Sequence, residues 1–272
     1  MALRRILITG STDGIGLLAA RRLATAGHRV LVHGRDPAKV ERVVRELQGA
    51  GGQAAGLVAD LSRPPTVAAL ATAVVEKHGG IDVLVNNVGV FLTPDPLTPE
   101  GLDVRFAVNT IAPCLLTRRL LSQLPADGRV VNVASAAQRP VDLRALAGER
   151  RIADDFEAYA QSKLALVMWT NHLAAALGGR GPVLLSVNPG SLLATKMVRE
   201  AFGRARRPAE YGAQVLEHAA LDPAFARPGA CFDGDSGRFA PPHPDALDPA
   251  KCERVVETIE AVLARLGVPV ET

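Results

Sequence analysis

Arg4-Arg5-Ile6-Leu7-Ile8-Thr9-Gly10-Ser11-Thr12-Asp13-Gly14-Ile15-Gly16 decides the fold. Its first half is a short apolar run ending in glycine, which reads as a buried strand by length and flanks. From Gly14 to Gly27 the apolar residues Ile15, Leu18, Ala19 and Leu23 recur at helical spacing. A glycine-rich turn between a first strand and a first helix lets the backbone reverse tightly. It also lets an anion approach the helix N-terminus, where unpaired N–H groups and the dipole favour negative charge. Position makes the pattern informative; the bland alternative is a turn that only needs small residues. Three residues separate Gly10 from Gly14, so the spacing is not G-x-G-x-x-G.

Working outward, strand and helix alternate. Residues 28–34, 54–60, 81–87, 129–134 and 182–188 read as further buried strands. Pro37–Gln48, Pro65–Lys77, Pro99–Leu124 and Phe156–Leu177 read as helices. Asp36 followed by Pro37 is an N-cap with proline at the first helical position. Alternation with short links predicts an α/β fold, one doubly wound parallel sheet with helices on both faces. No repeat or linker interrupts it, so residues 1–272 read as a single domain. After Gly190 an apolar then basic stretch leads to a helix over 208–220. Residues 230–232 read as the last short strand, and a Gly-, Pro- and Asp-rich stretch follows as loop. Asp248-Pro249 opens a final helix to about residue 266. Its apolar stripe packs either on the sheet or on a second subunit.

Composition narrows the function. Of 272 residues, 48% are hydrophobic and 22% charged, an ordinary globular balance with enough apolar residues for a sizeable core. The net charge of +3 gives no argument for nucleic acid. Three cysteines, Cys114, Cys231 and Cys252, are odd in number and widely spaced, which suggests neither a disulfide framework nor a metal site. The first residues lack a signal-type apolar run, and no stretch is long enough to span a bilayer. These features together read as a cytoplasmic protein without membrane or metal.

Ser135 to Lys163 carries the chemistry. Tyr159 and Lys163 are four apart in a helical segment, hence on one face. A free tyrosine titrates near about 10. A cation about 4 Å away contributes roughly 4 kcal/mol at an effective dielectric near 20, enough to bring a phenol toward neutral acid/base work. Alone, Y-x-x-x-K also fits a surface lysine beside a half-buried tyrosine. Asn109 lies inside an apolar helix, where an unpartnered amide costs on the order of 1–3 kcal/mol, so it needs a specific partner.

T-G-S-T-D-G-I-G, N-N-V-G at 86–89, Asn109, Ser135 and Tyr159-x-x-x-Lys163 together resemble the compact branch of the short-chain dehydrogenase/reductase family. The resemblance spans about residues 4–197. It implies a seven-stranded doubly wound (Rossmann) sheet binding a nicotinamide dinucleotide, and reversible hydride transfer between nicotinamide C4 and a carbonyl carbon. Tyr159 becomes the general acid/base, Lys163 lowers its pKa and holds the nicotinamide ribose, Ser135 binds the substrate oxygen, and Asn109 anchors a water that links Lys163 to solvent. Gly10, Ser11, Thr12, Asp13, Gly14, Ile15 and Gly16 form the cofactor turn. Asn87 and Gly89 line the cofactor, although Asn86-Asn87 could merely turn the chain. Asp60, with Leu61, meets the adenine or only caps a helix. Pro189, Gly190 and Thr195 hold the carboxamide end of the nicotinamide.

The end of the second strand selects the cofactor. An acidic residue there would bind a ribose 2′-hydroxyl. Gly34 holds that place and Arg35 follows, and a guanidinium suits a 2′-phosphate. NADP(H) is therefore expected over NAD(H), with Asp13 and Asp36 pulling the other way. The long segment between Ser135 and Tyr159, like Arg35, resembles the retinol dehydrogenase and carbonyl reductase branch. Val141–Ile152 within it is expected to wall the substrate cleft, and 191–220 to act as a substrate lid. The expected substrate is a small, largely apolar carbonyl or alcohol. The resemblance implies a homodimer or homotetramer, and the long segment leaves a monomer open. The alternative is a catalytically silent NADP(H) sensor or scaffold.

Overall fold

Runs of valine, isoleucine and leucine form strands here because both faces of the sheet are covered by helices. The structure, a computed structural model, describes residues 2–269; Met1 and residues 270–272 of the expected domain lie outside the described residues. In chain order the first half comprises β1 (Arg5–Ile8), α1 (Gly14–Thr25), β2 (Arg29–Gly34), α2 (Pro37–Gly49), β3 (Gln53–Val58), α3 (Pro64–His78) and β4 (Val83–Asn86). The centre comprises α4 (Val104–Phe106), α5 (Ala112–Leu120), β5 (Arg129–Val133), α6 (Leu143–Leu146), α7 (Asp155–Leu177) and β6 (Val183–Asn188). The last part comprises α8 (Lys196–Phe202), α9 (Ala209–Leu221), β7 (Cys231–Asp233), β8 (Arg238–Phe239) and α10 (Pro249–Arg265).

Strand order is β3-β2-β1-β4-β5-β6-β7-β8, parallel from β3 to β7. The order reverses between β1 and β4, so their C-terminal ends open the crevice where such sheets bind ligands. The described sheet has eight strands where seven were expected. The eighth, two residues long, returns antiparallel to β7 from within the segment read as loop. It is too short to carry a periodicity.

Two apolar layers sandwich the sheet. One joins α1, α2 and α9 to one face; the other joins α3, α5, α6, α7 and α10 to the opposite face. The C-terminal helix α10 packs on α7, burying Cys252, Val255, Ile259, Val262 and Leu263 in the layer that holds Trp169 and Leu173. Asp36 caps α2 through Ala38 N at 2.9 Å, and Asp248 caps α10 through Ala250 N at 3.0 Å, as sequence predicts.

The helix expected from Pro99 starts later. Gly101 turns at φ 82°, Leu97 bridges Asp103, and Asp103 caps α4 by accepting from Arg105 N at 2.8 Å. Between α4 and α5 the helix widens into a π turn over Ala107–Ile111.

Candidate active site

The glycine turn is built from backbone closeness. A Cβ on Gly16 would lie 2.4 Å from Gly10 O, and one on Gly10 would lie 2.8 Å from Val88 Cγ2. Gly10 and Gly14 adopt φ of 68° and 56°, the left-handed region where glycine is unpenalised. Asn87 ties β4 to this turn: its Nδ2 donates to Thr9 O at 2.8 Å and to Gly10 O at 3.2 Å. His33 supports it from below, accepting from Gly10 N on Nδ1 at 3.1 Å, and burial drives its pKa down to about 4.

Other expected cofactor residues separate by role. Ser11 is fully buried, donating to Ile8 O at 2.8 Å and accepting from His33 N at 2.9 Å, so its side chain braces the turn from inside. Asp13 caps its own helix by accepting from Gly14 N at 2.7 Å, leaving the N–H groups of Ile15 and Gly16 at an open helix start. Asp60 does not cap α3, whose N-cap is Arg63; it closes a turn by accepting from Ser62 N at 3.0 Å. Leu61 lies in the core. Asn86 also faces the core, donating to Thr117 Oγ1 and Asn132 Oδ1 at 3.1 and 2.8 Å.

The end of β2 has no room for an acid. A Cβ on Gly34 would meet Thr12 Cγ2 at 2.7 Å. Arg35, the next residue, is exposed and makes no hydrogen bond or ion pair among the described residues.

The catalytic candidates converge from the π turn, β5 and α7. Asn109 finds the partners its burial demands: Oδ1 accepts from Val90 N at 2.7 Å, and Nδ2 donates to Val90 O and Ser162 Oγ, both at 2.9 Å. Lys163 Nζ donates to Val133 O at 2.7 Å. A Cβ on Gly89 would sit 3.5 Å from Lys163 Nζ, 3.7 Å from Met197 Cε and 3.8 Å from Asn109 Oδ1. Gly89 therefore marks the centre of the site. Ser135 Oγ accepts from Ala137 N at 3.1 Å, and as a hydrogen-bonding neighbour of the Tyr159 phenol it pulls that group's pKa down.

The electrostatics differ from the expected acidified phenol. Burial raises the Tyr159 pKa above its usual value, and the Ser135 hydrogen bond only opposes this. Burial lowers Lys163 to about 8. Lys163 Nζ lies 5.8 Å from the Tyr159 ring centre and is turned to the Val133 carbonyl. In the protein alone, desolvation outweighs the attraction that the four-residue spacing suggested.

The expected lid is assembled over this centre. Thr195 caps α8 by accepting from Val198 N at 3.3 Å, and its Cγ2 lies 3.8 Å from the Cβ position of Gly14. Phe202 of α8 stacks on Phe91 with ring centres 5.7 Å apart, and Phe91 lies 4.8 Å from the Tyr159 ring. Phe202, Leu92 and Phe156 are 48%, 46% and 40% exposed, an apolar rim. Sequence reasoning missed Phe91 and Gln138, whose Nε2 holds Ser135 O at 3.0 Å while its buried Oε1 has no partner. No short motif marks either. Val141–Ile152 is not a free wall: Ala145 and Leu146 of α6 are buried in the core shared with α10, and Asp142 N donates to Gln161 Oε1 at 2.9 Å. Deleting it would open the core before it reshaped a cleft. Two surface cavities, about 210 Å³ beside Trp169 and about 350 Å³ beside Asp82, lie away from Tyr159. Among the described residues no group of three or more His, Cys, Asp or Glu is placed to hold a metal, and no helix is long and apolar enough to cross a membrane.

A doubly wound sheet with this turn and these four side chains defines a dehydrogenase-type dinucleotide fold, and comparison with known proteins agrees. The family model for short chain dehydrogenase matches residues 4–206, and the chain belongs to this family of oxidoreductases. It is 37% identical over 203 residues to retinol dehydrogenase 12 of Bos taurus, covering 72% of this chain and 64% of that protein, so it spans a little under two thirds of that relative. A crystal structure of an uncharacterized protein from Mycobacterium paratuberculosis superposes with TM-score 0.80 at 29% identity, covering 100% of this chain and 96% of that one. The angucycline C-6 ketoreductase LanV with bound NADP matches with TM-score 0.68 at 32% identity over 86% of this chain and 95% of that one.

The residues fit a dinucleotide. The glycine cradle and open N–H groups suit a pyrophosphate, and exposed Arg35 after Gly34 offers a positive charge for a 2′-phosphate.

Proposed function

We propose that this chain is an NADP(H)-dependent oxidoreductase acting on the carbonyl or alcohol of a small, largely apolar molecule, with Tyr159 as general acid/base. One observation carries the reading: buried Lys163 stands 5.8 Å from the Tyr159 ring centre and shares with Asn109 the space around Gly89. When bound, the dinucleotide supplies or accepts the hydride. The protein's part is to hold the substrate oxygen and move a proton. Ser135 binds that oxygen. Tyr159 donates its phenolic proton to the oxygen as negative charge develops there in reduction, and takes it back in oxidation. Lys163, near 8 in the protein alone, holds its proton more firmly as anionic groups approach, and its charge then favours the phenolate. Asn109 fixes the Val90 backbone beside both.

Arg35 in place of an acid supports NADP(H), and the NADP bound in LanV supports the same choice. The apolar rim of Leu92, Phe156 and Phe202 supports an apolar, carbonyl-reductase type of substrate. The proposed setting is cytoplasmic, in keeping with three free thiols, with no nucleic-acid or membrane partner.

Tyr159→Phe tests the assignment. NADPH affinity by fluorescence titration should stay within about twofold, and turnover of aldehydes and ketones should fall by about a thousandfold or more. A Tyr159→Phe protein that reduces carbonyls at the wild-type rate ends the proposal.

A further inference from the structure

The lid segment 191–207 leaves the body and returns to it at one place. That place is the Gly234–Asp235 tip between β7 and β8. At the departing end, Asp235 Oδ1 accepts from Ser191 N at 2.8 Å, and Oδ2 accepts from Ser191 Oγ at 2.5 Å and Asn188 Nδ2 at 3.0 Å. At the returning end, Arg207 donates from Nη1 to Gly234 O at 2.8 Å and from Nη2 to Asp235 O at 3.0 Å. Tyr211 of α9 donates to Gly234 O at 2.5 Å, and Gly234 N donates to Asn188 O at 2.8 Å. A Cβ on Gly234 would lie 2.6 Å from Asn188 O and 2.8 Å from Gly190 N, so the tip is wedged against the Asn188–Gly190 turn.

Between these anchors only Leu193 is buried, seated against Gly190 and Gly212. α8 buries none of its residues, and it meets the site through Met197 and Phe202. Its neck is closed by Arg206 N donating to Leu192 O at 2.8 Å and Ala194 N donating to Arg207 O at 2.9 Å. Leu192 adopts φ 52°, alone among described non-glycine residues in the left-handed region, and a leucine stays there only where its surroundings over-determine it.

The geometry points to Asp235 as a positioning residue: its carboxylate pins Ser191 and Asn188, and so sets where Pro189–Thr195 and the lid stand over the dinucleotide site. Only the mention of the dinucleotide rests on the proposed function; the anchoring does not. Burial raises the Asp235 pKa, but hydrogen bonds from Ser191 and Asn188 outweigh it and hold the group below the usual carboxylate range, so it is charged at neutral pH. An amide at this position must turn an NH₂ toward a donor, because both carboxylate oxygens are already acceptors.

Limited trypsin digestion of the protein without dinucleotide reads the anchor directly, because Arg199, Arg204 and Arg206 lie exposed between its two ends. Asp235→Asn should be cut there about tenfold faster than wild type at an almost unchanged thermal midpoint, as expected for losing charged hydrogen bonds in a locally opening segment. Its KM for NADPH should rise about tenfold with a smaller fall in kcat. Ser191→Ala should move both in the same direction by less, and S191A/D235N should be cut no faster than D235N. Wild-type cleavage and an unchanged NADPH KM in folded D235N overturn the inference; if D235N does not fold, wild-type cleavage of S191A overturns it. Faster lid cleavage in a chain that reduces no carbonyl would uphold the anchor while ending the proposed function.

Discussion

Pro113 follows Asn109 by four residues, and the helix opens into the π turn Ala107–Ile111, which holds Asn109 itself. Proline has no N–H to give the Asn109 carbonyl, and its ring crowds that oxygen, so the regular i to i−4 ladder cannot close. The wider turn sets Asn109 between Val90 and Ser162. A single residue whose local effect is unfavourable to the helix thus shapes the site. Pro113→Ala restores the missing donor and lets the helix tighten. The thermal midpoint should hold or rise, while kcat should fall about tenfold or more as Asn109 and its neighbours shift. Calorimetry and steady-state kinetics on one preparation test the pair; unchanged kcat would separate the turn from catalysis.

Arg35 stands free beside Gly34, whose missing side chain is required by Thr12. If Arg35 binds a 2′-phosphate, Arg35→Ala should lower kcat/KM for NADPH by about tenfold to a hundredfold, the value of a charge-assisted hydrogen bond, and leave NADH nearly untouched. A clear NADH preference in the wild-type protein would remove the basis of the argument.

How much of this could be read in advance follows from where each signal lives. β1 to β6 are short, mostly apolar stretches between turn residues, and Asp36-Pro37 and Asp248-Pro249 announce helix starts locally, so they are legible. Pro99 misled because proline suits a first helical turn, yet here it precedes the Gly101 turn, and Asp103 is the true cap. The four candidate catalytic residues carry their own spacing. Phe91 and the Gly234–Asp235 tip do not: their surroundings come from segments far away in sequence. The direction of the Tyr159 shift in the protein alone is illegible in sequence for a related reason. Spacing fixes which residues are near, whereas burial, the larger effect here, is a property of the whole fold.

His33 couples the glycine turn to acid. Its pKa is lowered from 6.5 to about 4 by burial, and its Nδ1 accepts from Gly10 N. Between those two values the unfolded chain holds a proton that the folded chain lacks, so stability is complete above about 6.5 and falls as pH drops toward 4. The loss from this group approaches about 3 kcal/mol. His33→Asn keeps an acceptor for Gly10 but cannot titrate. Denaturant midpoints measured across that range should fall less steeply with acid in H33N than in wild type; parallel curves would contradict the assignment.

Arg105 joins the helix that leads to Asn109 with the one that carries Tyr159. It is 1% exposed and paired with buried Asp103 at 2.7 Å and with Asp155 in the first turn of α7. Removing the cation alone leaves the Asp103 carboxylate buried without its partner, whereas removing both charges does not. Arg105→Met should therefore destabilise the fold by about 3–5 kcal/mol, and D103N/R105M by clearly less. Urea melts of the two variants measure the difference. A double variant as unstable as R105M would mean that the ion pair matters through the packing of the arginine stem rather than through charge, and the link between the two helices would have to be argued from shape alone.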